Sequence, residues 1–430
     1  MLRTFIFLFT CIQFIACTPK VAEELNSSID SKTTIDETTS KKILTDDALK
    51  VQAQELAQRF LITDGHVDLP YILKIKNFRL EKEFLGIPIE TDKGDFDYVR
   101  AKKGGLDVPF MSVYIPASYQ KKGGAKHFAD STINMIDGII EAHPDKFGKC
   151  HSTAEAIANT KNGLVSLPMG MENGAGIEDD IQNVAHFYKK GIRYITLTHS
   201  LDNLICDSSY DTTRTWNGLS PFGRDVVEEM NNVGIMVDIS HVSDSTFYQV
   251  MKLTKAPCIA SHSSCRKFTP DFERNMSDDM IRALAENGGV IQINFGSTFL
   301  SGEIRENFDK TRAEILSKVE AAGLEIRSDE GQAMIDSLRK EAKGLFADVE
   351  LAFQHIDHVV KLVGPDHVGF GSDFDGVGDS LPTGLKDVSK YPNLLYLMLK
   401  NGYSHEDIEK ICSGNVMRVW RAVEAYASKN

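Results

Sequence analysis

The sequence predicts an α/β protein closed into a (β/α)8 barrel, and three observations carry that prediction. Beyond residue 50, short runs rich in β-branched residues alternate with longer amphipathic stretches, the pattern of βα units around a parallel sheet. Eight such runs can be counted. Neither G-x-G-x-x-G nor a Walker sequence follows the first run, although an open doubly wound sheet normally offers a Gly-rich phosphate loop there. Four histidines fall at or just past the ends of runs, where a barrel gathers its active site.

The chain opens with Met-Leu-Arg, an apolar stretch reaching Ala16, and Cys17. This is a basic n-region and a short h-region, too short to span a bilayer. Phe14-Ile15-Ala16-Cys17 resembles a bacterial lipobox, with Phe14 in place of the usual aliphatic residue. Residues 1–16 are therefore expected to be a lipoprotein-type signal peptide. The chain is expected to be exported and anchored to a bacterial membrane through lipidated Cys17, on the periplasmic or cell-surface side. Residues 17–48 are mostly Ser, Thr, Lys, Asp and Glu, a mix that buries too little apolar surface to order itself, and read as a tether. Residues 49–430 form the expected barrel domain.

The predicted strands are Leu61–Asp64, Val108–Ile115, Gly163–Leu167, Tyr194–Thr198, Ile235–Ile239, Cys258–Ser261, Val290–Asn294 and Val368–Gly371. After the seventh, residues 300–349 carry helical periodicity and exceed what an αβ connection needs. They read as a helical insertion whose charges are solvated helix faces. Cys150, Cys206, Cys258, Cys265 and Cys412 would remain after cleavage, and their pairing does not follow from sequence.

Composition narrows the function classes. Across 430 residues, 42% are hydrophobic and 25% charged, close to the globular average. A net charge of -13 has the wrong sign for attraction to nucleic acid. Seven cysteines without a C-x-x-C pair leave His and carboxylate as the ligands of any metal.

Such residues stand at the strand ends. His66-Val67-Asp68 follows the first run and places an imidazole and a carboxylate two residues apart, on one side of extended chain. Alone, this is as readily a histidine bonded to a neighbouring carboxylate. Glu172 follows the third run in the Gly-rich turn Met169-Gly170-Met171-Glu172-Asn173-Gly174. His241 and His262 end the fifth and sixth runs, beside serines that could satisfy a core histidine. Taken together, three His, one Asp and one Glu suit Zn²⁺ or a similar divalent ion. Five ligands exceed one tetrahedral site, so two ions bridged by Glu172 and a hydroxide use the set fully. Asp373, in Gly371-Ser372-Asp373-Phe374-Asp375-Gly376, supplies a further negative group and a candidate proton shuttle.

Several stretches carry a family resemblance: Asp64-Gly65-His66-Val67-Asp68-Leu69-Pro70, Arg193-Tyr194-Ile195-Thr196-Leu197-Thr198-His199-Ser200, Ser261-His262-Ser263-Ser264, and His367 to Gly376. With Asp387 to Pro392 and Gly414 to Val419, they resemble the membrane dipeptidase, or renal dipeptidase-like, family of zinc peptidases over residues 60–425, excluding the insertion. The resemblance implies an amidohydrolase-type barrel with two zinc ions, one on His66 and Asp68, the other on His241 and His262, bridged by Glu172. It implies His199 as the substrate-contacting histidine, Asp373 as the acidic residue and Arg274 as the partner of the substrate carboxylate, with Arg266 the competitor. The expected reaction is attack of a metal-bridging hydroxide on the peptide bond of a free dipeptide, with a C-terminal D-residue as a stereochemical variant and a homodimer as the suggested assembly. The competing functions are an exported amidohydrolase acting on N-acyl amino acids, lactones or β-lactams, and a surface lipoprotein that binds peptides without turnover.

Overall fold

Among the described residues ten strands account for the sheet structure, eight of them in one closed parallel barrel. They are β1 (Ile62–Val67), β2 (Leu106–Tyr114), β3 (Phe147–Lys149), β4 (Val165–Leu167), β5 (Met169–Glu172), β6 (Ile192–Thr196), β7 (Met236–Asp238), β8 (Ile259–Ser263), β9 (Val290–Ile293) and β10 (Val368–Phe370). The barrel runs β1-β10-β9-β8-β7-β6-β5-β2, while β3 and β4 form a separate two-stranded sheet. The computed structural model describes residues 45–79 and 89–429. The expected signal peptide, Cys17 and most of the tether lie outside the described residues.

One strand assignment is corrected. The third predicted run, Gly163–Leu167, pairs with Phe147–Lys149 in the side sheet rather than in the barrel. Its place is taken by β5, so Glu172 is the last residue of a barrel strand and not part of a turn beyond one. Pro168 separates the two strands, and its carbonyl accepts from Met111 N–H at 2.8 Å. At the amino end, Thr45 caps a helix over Asp46–Arg59, accepting from Ala48 N–H at 3.3 Å, so the last residues assigned to the tether are helical.

The barrel interior is filled from the strands and plugged from below. Val108 and Phe110 of β2, Tyr194 of β6, Met236 of β7, Ile259 of β8 and Val290 of β9 share one buried cluster with Val416, Met417, Val419, Trp420 and Val423 of the C-terminal helix Asn415–Ala427. Trp420 packs against Phe110 with ring centroids 5.3 Å apart. The chain thus closes its own barrel floor, leaving the C-terminal strand ends as the open face.

The insertion after β9 consists of helices Gly302–Ala321 and Asp329–Glu341, capped by Ser301 and Ser328. Ile315, Val319 and Ile335 form its own small apolar core. Asn307 ties it to its exit by donating to the carbonyls of Lys343 and Gly344, both at 2.9 Å. All five cysteines of the described residues are buried free thiols. No helix of the described residues is long and apolar enough to cross a membrane.

Asp107, near the floor, yields a pH prediction. Its carboxylate accepts from Ile62 N–H at 3.2 Å, yet burial raises its pKa to about 6. An aspartate raised above its unfolded value of roughly 3.9 favours the folded state when protonated. That contribution is complete below pH 4 and is lost as pH rises through 6. Asp107→Asn keeps an acceptor for Ile62 without the charge. It should match the wild type in urea unfolding at pH 4 and exceed it by about 1–3 kcal/mol at pH 7.5; a variant weaker at pH 7.5 would contradict this account.

Candidate metal centre

Glu172 is the focus of the open face. It ends β5 in register with Tyr114 of β2 and Thr196 of β6, and it is 3% exposed. A buried carboxylate needs partners, and imidazoles supply them from three other strand ends. Oε1 lies 3.1 Å from His241 Nε2 and 3.3 Å from His262 Nε2, while Oε2 lies 3.5 Å from His66 Nε2. His66 Nε2 is also 3.4 Å from Asp68 Oδ2. All five residues predicted as ligands therefore meet, and Glu172 turns one oxygen towards each predicted pair.

Each imidazole is aimed by a different device. His66 Nδ1 lies 2.8 Å from the Tyr194 hydroxyl. With Nδ1–H directed at that oxygen, Nε2 carries the lone pair a metal requires. Tyr194 reaches the barrel axis because its β5 neighbour is Gly170, where a Cβ would run into the tyrosine ring. His262 Nδ1 lies 2.8 Å from Ser261 Oγ, which donates to Asp238 Oδ2 at 2.6 Å, again leaving Nε2 bare. The Nδ1 of His241 has no hydrogen-bond partner. That ring is held instead between His199 and His262, at centroid distances of 4.3 and 4.9 Å, by a backbone with φ of 68°. Asn173 and Asp373, also just past barrel strands, share this left-handed conformation, with φ of 76° and 62°.

The electrostatics suit cation binding. Burial, with the nearby Arg274 charge and neighbouring imidazoles, holds His241 and His262 well below the usual histidine range and keeps them neutral. Burial disfavours the Glu172 charge, yet the surrounding imidazoles, His66 and His199 foremost, hold its carboxyl well below the usual range. The residues fit a metal: His66 Nε2 and Asp68 Oδ1 are buried without hydrogen-bond partners, and the Nε2 atoms of His241 and His262 approach to 2.9 Å. Three overlapping sets of ligand atoms cluster here: His66, Glu172 and His262; Glu172, His199 and His241; and His66, Asp68 and Asp373.

The remaining predicted residues line the same centre. His199 lies past β6 with Nε2 3.7 Å from Glu172 Oε1, its ring tilted against that of Tyr114 at a centroid distance of 4.8 Å. Burial lowers its pKa, so it is neutral. Asp373 follows β10, accepts from Asn294 Nδ2 at 2.8 Å, and is raised to about 7 by burial and the charge of Asp68. Gly376 backs directly onto it, since a Cβ there would strike both Asp373 and Asp68. Arg274 is buried, donating to Ser263 Oγ and to the His262 carbonyl, each at 2.7 Å, with Nε left unpaired. Its competitor Arg266 is committed elsewhere, gripping both oxygens of Asp244 at 2.8 and 2.6 Å. Sequence reasoning missed Tyr194, Asp238 and Asn294 as supports. Their signal was a polar group facing inward on, or at the end of, a predicted strand.

Tyr194→Phe keeps the ring and removes only the hydroxyl on His66. It should weaken metal binding by about 10–100-fold in a chelator-competition titration, the usual loss for a ligand's supporting partner; unchanged affinity would show that Tyr194 only fills space.

The membrane dipeptidase family, peptidase family M19, matches residues 50–430. An uncharacterised dipeptidase of Schizosaccharomyces pombe is 32% identical over 388 residues, which is 87% of this chain and 83% of that protein. The dipeptidase tcpJ of Claviceps purpurea is 31% identical over 373 residues, 85% of this chain and 77% of its own length. Among solved structures, the probable dipeptidase PvdM from Pseudomonas aeruginosa has a TM-score of 0.73 at 26% identity, covering 88% of this chain and 99% of that one. A metallopeptidase from Rhodobacter sphaeroides, liganded with a phosphinate mimic of L-Ala-D-Ala, shares the fold with a TM-score of 0.68 at 24% identity, covering 85% and 99%. With its buried ring of imidazoles and carboxylates at the open end of a parallel barrel, this chain belongs to the membrane dipeptidase family and is a metal-dependent peptide hydrolase.

Proposed function

We propose that this protein is a dinuclear zinc dipeptidase that cleaves free dipeptides, exported and held at a membrane by lipidated Cys17. The observation that carries the two-ion reading is the division of Glu172: Oε2 faces His66, the partner of Asp68, while Oε1 faces His241 and His262. One ion would be held by His66, Asp68 and Glu172, the other by His241, His262 and Glu172. Zinc matches this nitrogen and oxygen donor set. When bound, such ions supply an acidified water and polarise a carbonyl.

The chain's own residues divide the remaining work. His199 is neutral, with Nδ1 buried and unpaired, and donates a hydrogen bond to the oxygen that becomes negative as the peptide carbon turns tetrahedral. Asp373 has Oδ2 occupied by Asn294, so its Oδ1 takes the proton from the attacking water and returns it to the leaving amine. Arg274 binds the C-terminal carboxylate. A peptide extended at its C-terminus would put an amide there and leave a buried guanidinium without its counter-charge, which excludes it. The export reading rests on the basic, apolar and cysteine segments of residues 1–17.

Purified protein stripped by a chelator should regain, on addition of Zn²⁺, cleavage of L,L-dipeptides, with L,D-dipeptides in the same panel reporting tolerance of a C-terminal D-residue. An N-acetylated dipeptide and a tripeptide should remain intact; comparable turnover of the N-acetylated compound would move the assignment to an acyl-amino-acid hydrolase. Arg274→Met should lower kcat/KM for a free dipeptide by about a hundredfold or more while changing hydrolysis of the C-terminal amide far less. Equal losses on both substrates would remove Arg274 from carboxylate recognition.

A further inference from the structure

The insertion brings to the barrel mouth a charged group that the reaction leaves unused. Arg305 stands in the first turn of helix Gly302–Ala321, half-buried, its guanidinium 4.2 Å from the centroid of the Phe272 ring. Among the described residues no carboxylate pairs with it. Phe272 packs against Phe299 at 5.7 Å, and Phe299 carries the Arg274 guanidinium at 5.5 Å. Two guanidinium groups therefore rest on neighbouring rings of one aromatic wall.

That wall faces the metal centre. Tyr210 joins it, with ring centroids 6.0 Å from Phe272 on one side and 6.0 Å from His241 on the other. Burial raises the Tyr210 hydroxyl, while Arg274 and Arg305 both pull it down, so the two cations act on one point at the pocket edge. An arginine stacked on an aromatic face is partly stripped of water and keeps its planar fork free for a carboxylate.

Resting on the dipeptidase reading above, we propose that Arg305 selects dipeptides whose C-terminal residue is glutamate, binding the side-chain carboxylate while Arg274 binds the main-chain one. The position favours the C-terminal residue because Arg305 shares its wall with Arg274. Glutamate carries its second carboxylate on a flexible arm, about 5 Å from the first carboxyl carbon when extended, so one residue can meet cations held on two adjoining rings.

The test compares kcat/KM for Ala-Glu, Ala-Gln and Ala-Ala in the full chain loaded with zinc. The wild type should prefer Ala-Glu over its neutral isostere Ala-Gln by about tenfold, expressed in KM and weakened by salt. Arg305→Met should bring that ratio near one, and Arg305→Lys should restore part of it. Because the ratio is taken within one enzyme preparation, a general loss of folding does not move it. A wild type that cleaves Ala-Gln as well as Ala-Glu, or an Arg305→Met enzyme that keeps the tenfold ratio, overturns the assignment while leaving the dipeptidase reading intact. A wild type that cleaves none of the three overturns both.

Discussion

A carboxylate that is almost wholly shielded from water must be matched by its surroundings, and in this barrel Glu172 sets that requirement. Four imidazoles lie within 3.7 Å of its oxygens, contributed by the ends of β1 and β8 and the loops after β6 and β7. The register of β5 against β2 and β6 fixes where the carboxylate stands, and the remaining groups are arranged about it. Barrel closure is what makes this possible, because residues far apart in sequence reach one axis only when the strands form a ring.

The supports of the centre differ in kind. His66 is steadied by a tyrosine hydroxyl, His262 by a serine whose own hydroxyl donates to Asp238, and His241 by neighbouring rings and an unusual backbone angle. Glycine has two distinct tasks. Gly170 clears the path for the Tyr194 ring, and Gly376 allows Asp373 and Asp68 to approach the backbone. Backbone conformations that cost of order 1 kcal/mol each recur just beyond the strands, where the side chains must be re-aimed.

Much of this was legible in the sequence because the informative residues occur at strand ends. The alternation of strands and helices, the convergence of the five candidate ligands with His199 and Asp373, and the insertion after the seventh barrel strand all follow from runs and their terminal residues. The third strand did not, for a physical reason. Met169-Gly170-Met171-Glu172 has no β-branched residue and includes the glycine that admits Tyr194, while the stronger run before Pro168 belongs to the side sheet. Tyr194 itself was invisible as a support, since a buried tyrosine in a strand reads as packing. The choice between Arg274 and Arg266 needed coordinates, because only a three-dimensional contact reveals that Arg266 is already spent on Asp244.

The seam of the barrel has a consequence for the order of assembly. β1 must pair with β10 as well as β2, and Asp64 accepts from the backbone of Ser372, 308 residues further along. The floor is then sealed by Trp420 in the last helix. A chain made from its amino terminus therefore carries β1 through most of synthesis without its β10 neighbour. Loop closure over such a separation is slow, and the open sheet exposes unpaired edges meanwhile. The strand ends that converge on Glu172 therefore share one closed ring only once β10 has joined β1 and β9.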